Sequence, residues 1–133
     1  MNNKQIFSFV VNEYATNCYI YKDLESNNAI IIDPGGETKQ IFDFVEKNKL
    51  NIEKIVLTHS HYDHIKDLEY IIKFFPVEVI IHQEEYPLVV DNQKNLSLFL
   101  GEECIKNPGI IKWQKVKDQE TFYCGKQKIK ILH

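Results

Sequence analysis

Ala29-Ile30-Ile31-Ile32 is an unbroken apolar run. Successive side chains of a strand point to opposite faces, so such a run suits a strand covered on both sides. It halts at Asp33-Pro34-Gly35-Gly36, where proline offers no N–H to a ladder and glycine permits a turn. Residues 52–57 (Ile-Glu-Lys-Ile-Val-Leu) read as a second buried strand and residues 77–81 as a third. Between them, residues 38–49 carry Ile41, Phe42, Phe44 and Val45 at helical spacing. Residues 65–75 repeat apolar positions at the same period and stop before Pro76. Buried strands alternating with amphipathic helices imply a mixed sheet with helices on at least one face.

Strand signals also crowd both ends. Residues 5–11 alternate loosely and residues 17–22 are rich in β-formers, with a turn of Asp, Ser and Asn over 23–28. Residues 83–90 suggest a short helix interrupted at Pro87, and residues 91–109 a loop with short helical turns. Residues 110–116, 120–123 and 126–132 read as three strands joined by tight turns at 118–119 and 124–125. No repeat or linker divides the chain, and 133 residues suit one domain.

Composition removes several classes of function. Hydrophobic residues make up 44% and charged residues 26%, and the net charge of −3 is spread along the chain. No basic cluster marks a nucleic-acid or membrane-surface face. No segment approaches the ~20 apolar residues of a membrane helix. Met1-Asn2-Asn3-Lys4-Gln5 leads into a strand and not a signal-peptide core, so a cytoplasmic location is expected. Cys18, Cys104 and Cys124 are odd in number and widely spaced. They read as buried small hydrophobes or surface thiols in a reducing compartment.

The chemistry concentrates in Thr58-His59-Ser60-His61-Tyr62-Asp63-His64, which holds three of the five histidines. It lies directly after a buried strand and directly before a helix. In extended backbone, residues 59, 61 and 63 face one way, and the turn into the helix brings His64 to the same region. Imidazole and carboxylate together suit zinc, and also iron or manganese. A helix beginning near His64 would aim its positive end at the site, and Asp63 could serve as its N-cap.

His59-Ser60-His61-Tyr62-Asp63-His64 matches the His-x-His-x-Asp-His hallmark, and here the chain resembles the metallo-β-lactamase superfamily. Asn17-Cys18-Tyr19, Ile32-Asp33-Pro34-Gly35-Gly36, Leu57-Thr58-His59 and Ile80-Ile81-His82 with Glu84-Glu85 are similar to its glyoxalase II-like branch. The resemblance implies an α+β fold of the αββα metallo-β-lactamase type, a mixed β-sheet with flanking helices. It implies a dinuclear zinc centre, with His59 and His61 as ligands of one metal and Asp63 and His64 of the other. The family's nucleophile is a hydroxide bridging the metals, and Asp63 would orient it in catalysis. Asp33, at a strand end beside the motif, would hydrogen-bond a ligand histidine or loop backbone, or else simply shape the turn. His82 reads as a structural histidine. Lys66 and Asp67 stand where many relatives carry two glycines.

The family completes its sites with a later His, a bridging Asp and a final His, and none of these is matched here. His133 resembles the residue just before the next ligand motif. The expectation is therefore the N-terminal part of the fold, residues 1–133 forming one incomplete domain that by itself binds metal weakly and is at most weakly active. An uncovered apolar sheet face would then favour a homo-oligomer. The expected substrate is a small-molecule thioester, such as an acylglutathione, or a related ester. The alternatives are an iron-dependent persulfide dioxygenase-like oxidoreductase and a non-catalytic remnant.

Overall fold

Strands form where apolar runs and β-formers predict them. The computed structural model describes residues 5–133, so the polar start at residues 1–4 lies outside the described residues. The strands of the main sheet are β1 (Ile6–Val10), β2 (Asn17–Lys22), β3 (Asn28–Ile32), β4 (Asn51–Val56), β5 (Glu78–His82) and β6 (Trp113–Val116). They lie in chain order across a single six-stranded sheet. β1, β2 and β3 pair antiparallel, whereas β3–β4, β4–β5 and β5–β6 are parallel. The sheet is mixed, as the sequence pattern requires.

Opposite faces of β3 explain its unbroken apolar run. Ile31 points into the larger core with Ile20, Ile55, Val79 and Ile81 of the sheet and Ile41 and Val45 of helix α1 (Thr38–Lys47). Ile30 points the other way, into a second cluster with Ile80, Val116 and Phe122. Phe122 belongs to a separate hairpin of β7 (Thr121–Cys124) and β8 (Gln127–Lys130). Helices thus cover one face and the hairpin covers part of the other. The apolar face expected to be uncovered is covered in part: Ile30 and Ile80 are buried beneath the hairpin, whereas Ile32 and Val56 are half-buried.

The helix expected over 65–75 divides into two short pieces, α2 (Tyr62–Ile65) and α3 (Leu68–Ile71). The cause is a competition for backbone groups at the join. The Asp63 carbonyl, which a continuous helix would pair with the Asp67 N–H, instead accepts from Asn12 Nδ2 at 2.8 Å. The Asp67 N–H donates to the Pro34 carbonyl at 3.2 Å. Helical periodicity in the sequence cannot reveal a partner supplied from residue 12.

Smaller differences occur toward the end. The short helix around Pro87 is α4 (Tyr86–Val89), with Pro87 inside its first turn, where a missing N–H costs nothing. Residues 108–110 form a 3-10 turn (Pro108–Ile110), so β6 starts later than expected. Gly125 makes the β7–β8 turn at φ +57. All three cysteines are free; Cys18 and Cys124 are buried and Cys104 is half-buried. No helix among the described residues is long and apolar enough to cross a membrane.

Candidate metal centre

The motif occupies the loop leaving β4 and the single turn of α2, at the carboxyl end of the parallel strands, where ligand sites in such sheets gather. His59 and His64 are the closest pair, with ring centroids 3.9 Å apart. His61 lies 5.0 Å from His59 between ring centroids. Asp63 Oδ2 is 3.4 Å from His64 Nε2. His59 and His64 thus stand together, with His61 beside His59 and Asp63 beside His64. His61 is exposed and the other three are half-buried.

Two of the auxiliary expectations are corrected. Asp63 is not a helix cap: His61 occupies the N-cap position of α2, and no side-chain cap bond forms. Asp63 instead sits in the first turn, with Oδ2 accepting from Thr16 Oγ1 at 2.6 Å. The helix expected to begin near His64 starts at Tyr62 and lasts four residues. So short a turn sums few peptide dipoles, and the electrostatic aid expected from it falls away.

Asp33 organises the site from below. It is buried at the end of β3, with φ +56, a left-handed conformation that aspartate tolerates better than most residues. Oδ1 accepts from the Thr58 N–H at 2.8 Å. Oδ2 accepts from Thr58 Oγ1 and lies 2.9 Å from His64 Nδ1. Both uses foreseen for this side chain, a histidine partner and a loop backbone partner, are realised together.

The consequence for the imidazoles follows from donor and acceptor roles. A carboxylate only accepts, so His64 Nδ1 carries the hydrogen and Nε2 keeps its lone pair. Thr58 Oγ1 spends its hydrogen on Asp33 and can accept from His59 Nδ1, 3.1 Å away. His59 Nε2 is likewise left with a lone pair. One buried carboxylate thus sets the tautomer of two histidines, directly and through Thr58. This is the outer support that metal-binding imidazoles require.

Electrostatics separates the two rings. Burial pushes the His59 imidazole below its ordinary range, and the neighbouring His64 adds to the effect against a smaller opposing pull from Asp33. Burial acts on His64 in the same sense, but the Asp33 hydrogen bond and charge, with help from Asp63, outweigh it and raise its pKa.

Among the described residues, two groups place three donor atoms within 4.8 Å of one another. One is Asp33, His59 and His64. Its carboxylate is engaged by Thr58 and His64, so we read Asp33 as the support and the histidines as the donors. The other is His82, Glu84 and His133. There His82 Nδ1 accepts from the Glu84 N–H at 3.1 Å, and the His82 and His133 rings stack 3.5 Å apart and nearly parallel. Stacked rings direct their lone pairs side by side instead of at a common point, which agrees with a structural role for His82.

Three contributors escaped the sequence. Thr58 was visible only as a flank of the motif. Thr16 and Asn12, which hold the Asp63 side chain and carbonyl, carry no local signal, because they act from 47 and 51 residues away. Gly35 is needed for a reason beyond turn formation. A Cβ there would lie 1.8 Å from the Asp63 carbonyl oxygen, so only glycine lets the two loops approach.

Comparison with known proteins places the chain among relatives of one fold. The Metallo-beta-lactamase superfamily model matches residues 11–131. A probable polyketide biosynthesis zinc-dependent hydrolase of Bacillus subtilis is 28% identical over 102 residues, covering 69% of this chain and 45% of that protein. Hydroxyacylglutathione hydrolase GloC of Haemophilus influenzae is 36% identical over 69 residues, covering 52% and 32%. The match thus spans less than half the length of either relative. Among solved structures, the B3 metallo-beta-lactamase BLEG-1 superposes with TM-score 0.80 at 22% identity, covering 94% of this chain and 59% of that one. The di-iron-bound form of TTHA1623 superposes with TM-score 0.75 at 21% identity, covering 96% and 60%. At these identities the structures show a shared fold.

Proposed function

The chain belongs to the metallo-beta-lactamase superfamily, and from that membership we propose that it serves metal-dependent hydrolysis of a small thioester. The observation that carries the reading is the Asp33–Thr58 support, which leaves Nε2 of both His59 and His64 ready as donors. His59, His61, Asp63 and His64 would hold the metal, two ions in a complete site, with Asp33 fixing the imidazoles. Nitrogen and carboxylate donors of this kind suit zinc, and also iron or manganese. A bound divalent cation supplies Lewis acidity, which polarises the carbonyl and makes water nucleophilic near neutral pH.

The chain's own residues do the positioning. Thr16 holds Asp63 Oδ2, leaving Oδ1 to orient the attacking water and accept its proton. Water oxygen adds to the acyl carbon, the carbon–sulfur bond breaks, and the proton leaves with the thiol. Relatives named as a hydroxyacylglutathione hydrolase and a zinc-dependent hydrolase support this choice of chemistry.

The test is zinc titration by calorimetry, followed by thiol release from acylglutathione and acyl-N-acetylcysteamine. Thiol release should require zinc, vanish with chelator, and be lost in His59→Ala and His64→Ala. Failure to bind zinc would refute the reading. So would iron-dependent oxygen uptake with glutathione persulfide in place of thiol release.

A further inference from the structure

A cavity of about 520 Å³ opens beside the metal centre. His61, Asp63, Tyr14 and Tyr62 line it together with Leu96, Phe99 and Leu100. Its size falls within the range of small-molecule sites, which are mostly apolar with a few polar groups at one end. No lysine lines it among the described residues.

The apolar wall is built, and not merely a loose loop. Asn95 is fully buried, donates from Nδ2 to the Val89 carbonyl at 2.8 Å and accepts the Ser97 N–H at 3.0 Å. Its own carbonyl accepts the Tyr62 N–H at 2.8 Å, which ties the loop to the metal-site turn. Asn92 clamps the far end, donating to the Ile105 carbonyl and accepting the Ile105 N–H. Between these anchors Leu96 is held at φ +74, a conformation that disfavours leucine. Leu96 and Leu100 remain close to half exposed and Phe99 is 79% exposed. Leu96 and Phe99 thus present apolar surface to the cavity beside the donor residues.

We infer that this cavity receives the apolar acyl group of the substrate, so that Leu96, Phe99 and Leu100 set acyl-chain specificity. The inference rests on the hydrolase reading above, which puts the reacting carbonyl next to His61 and Asp63. The occupant is a neutral aliphatic or aryl acyl group. The polar thiol portion of the thioester lies outside this cavity.

N-methyl alkanamides of two, four, six and eight carbons are uncleavable stand-ins for the acyl end. Their binding to the full chain, with and without zinc, is read from leucine methyl shifts by NMR. Affinity should rise up to about fourfold per methylene along the series. Phe99→Ala, at a largely exposed position, and Leu96→Gly, which relieves the positive φ, should both fold and flatten that rise. In zinc-loaded protein the hexanoyl-to-acetyl ratio of kcat/KM should fall in the same variants. Equal binding of all four amides, an unchanged slope in both variants, or shifts confined to the Ile30–Phe122 side would overturn the inference. Zinc binding and thiol release are measured separately, so the hydrolase reading can stand while this one fails.

Discussion

Replacing Asp33 by asparagine should detach metal affinity from fold stability. The Thr58 N–H requires an acceptor at Oδ1, so the new amide nitrogen must take the place of Oδ2. That nitrogen donates toward His64 Nδ1, where the carboxylate accepted. The neutral imidazole must then carry its hydrogen on Nε2, and the lone pair offered to the metal is lost. Loss of such outer support lowers metal affinity about 10- to 100-fold. Stability should fall by only about 1–2 kcal/mol, because shape and the Thr58 bond persist and asparagine tolerates φ +56. Asp33→Ala should behave differently. It removes the acceptor of three charge-assisted bonds, at the low end of ~1.5–3 kcal/mol each because Thr58 and His64 keep some water. Adding ~1 kcal/mol for alanine in the left-handed region brings the loss to about 5.5 kcal/mol. Urea unfolding measures the two stabilities, and competition with a chromogenic chelator measures zinc affinity. An asparagine variant that binds zinc as tightly as the parent would refute the tautomer argument, and an alanine variant no less stable than the asparagine one would refute the energetics.

Gly35→Ala should lower the urea midpoint by the equivalent of ~1–3 kcal/mol and weaken zinc binding together, since its methyl group must displace the Asp63 carbonyl. Thr16→Val removes the bond to Asp63 Oδ2; zinc affinity should drop in calorimetry while thermal stability changes little, and an unaltered affinity would show that Thr16 does not position Asp63. Burial pushes the thiols of Cys104 and Cys124 up to about 11 and raises Cys18 further. At pH 8 only about one in a thousand of the first two is thiolate, so a disulfide reagent should label the native protein slowly and all three thiols at once in denaturant; rapid labelling of the folded chain would contradict the burial described.

Much of this was written locally in the chain. The two-sided burial of β3, the helix at α1 and the six-residue gathering of His59, His61, Asp63 and His64 follow from patterns that span a few residues, because side-chain period and backbone direction are local properties. The place of Asp33 at a strand end was legible for the same reason. What three-dimensional packing alone decided were the meetings of distant residues: Asn12 taking the Asp63 carbonyl and so dividing α2 from α3, Thr16 gripping the Asp63 carboxylate, and Asp33 setting the His64 imidazole directly and that of His59 through Thr58. The hairpin covering Ile30 and Ile80, and the amide clamp that holds Leu96 beside His61, belong to the same class. Each depends on groups made neighbours by the sheet order, and a hydrogen bond between such groups leaves no period in the sequence by which to foresee it.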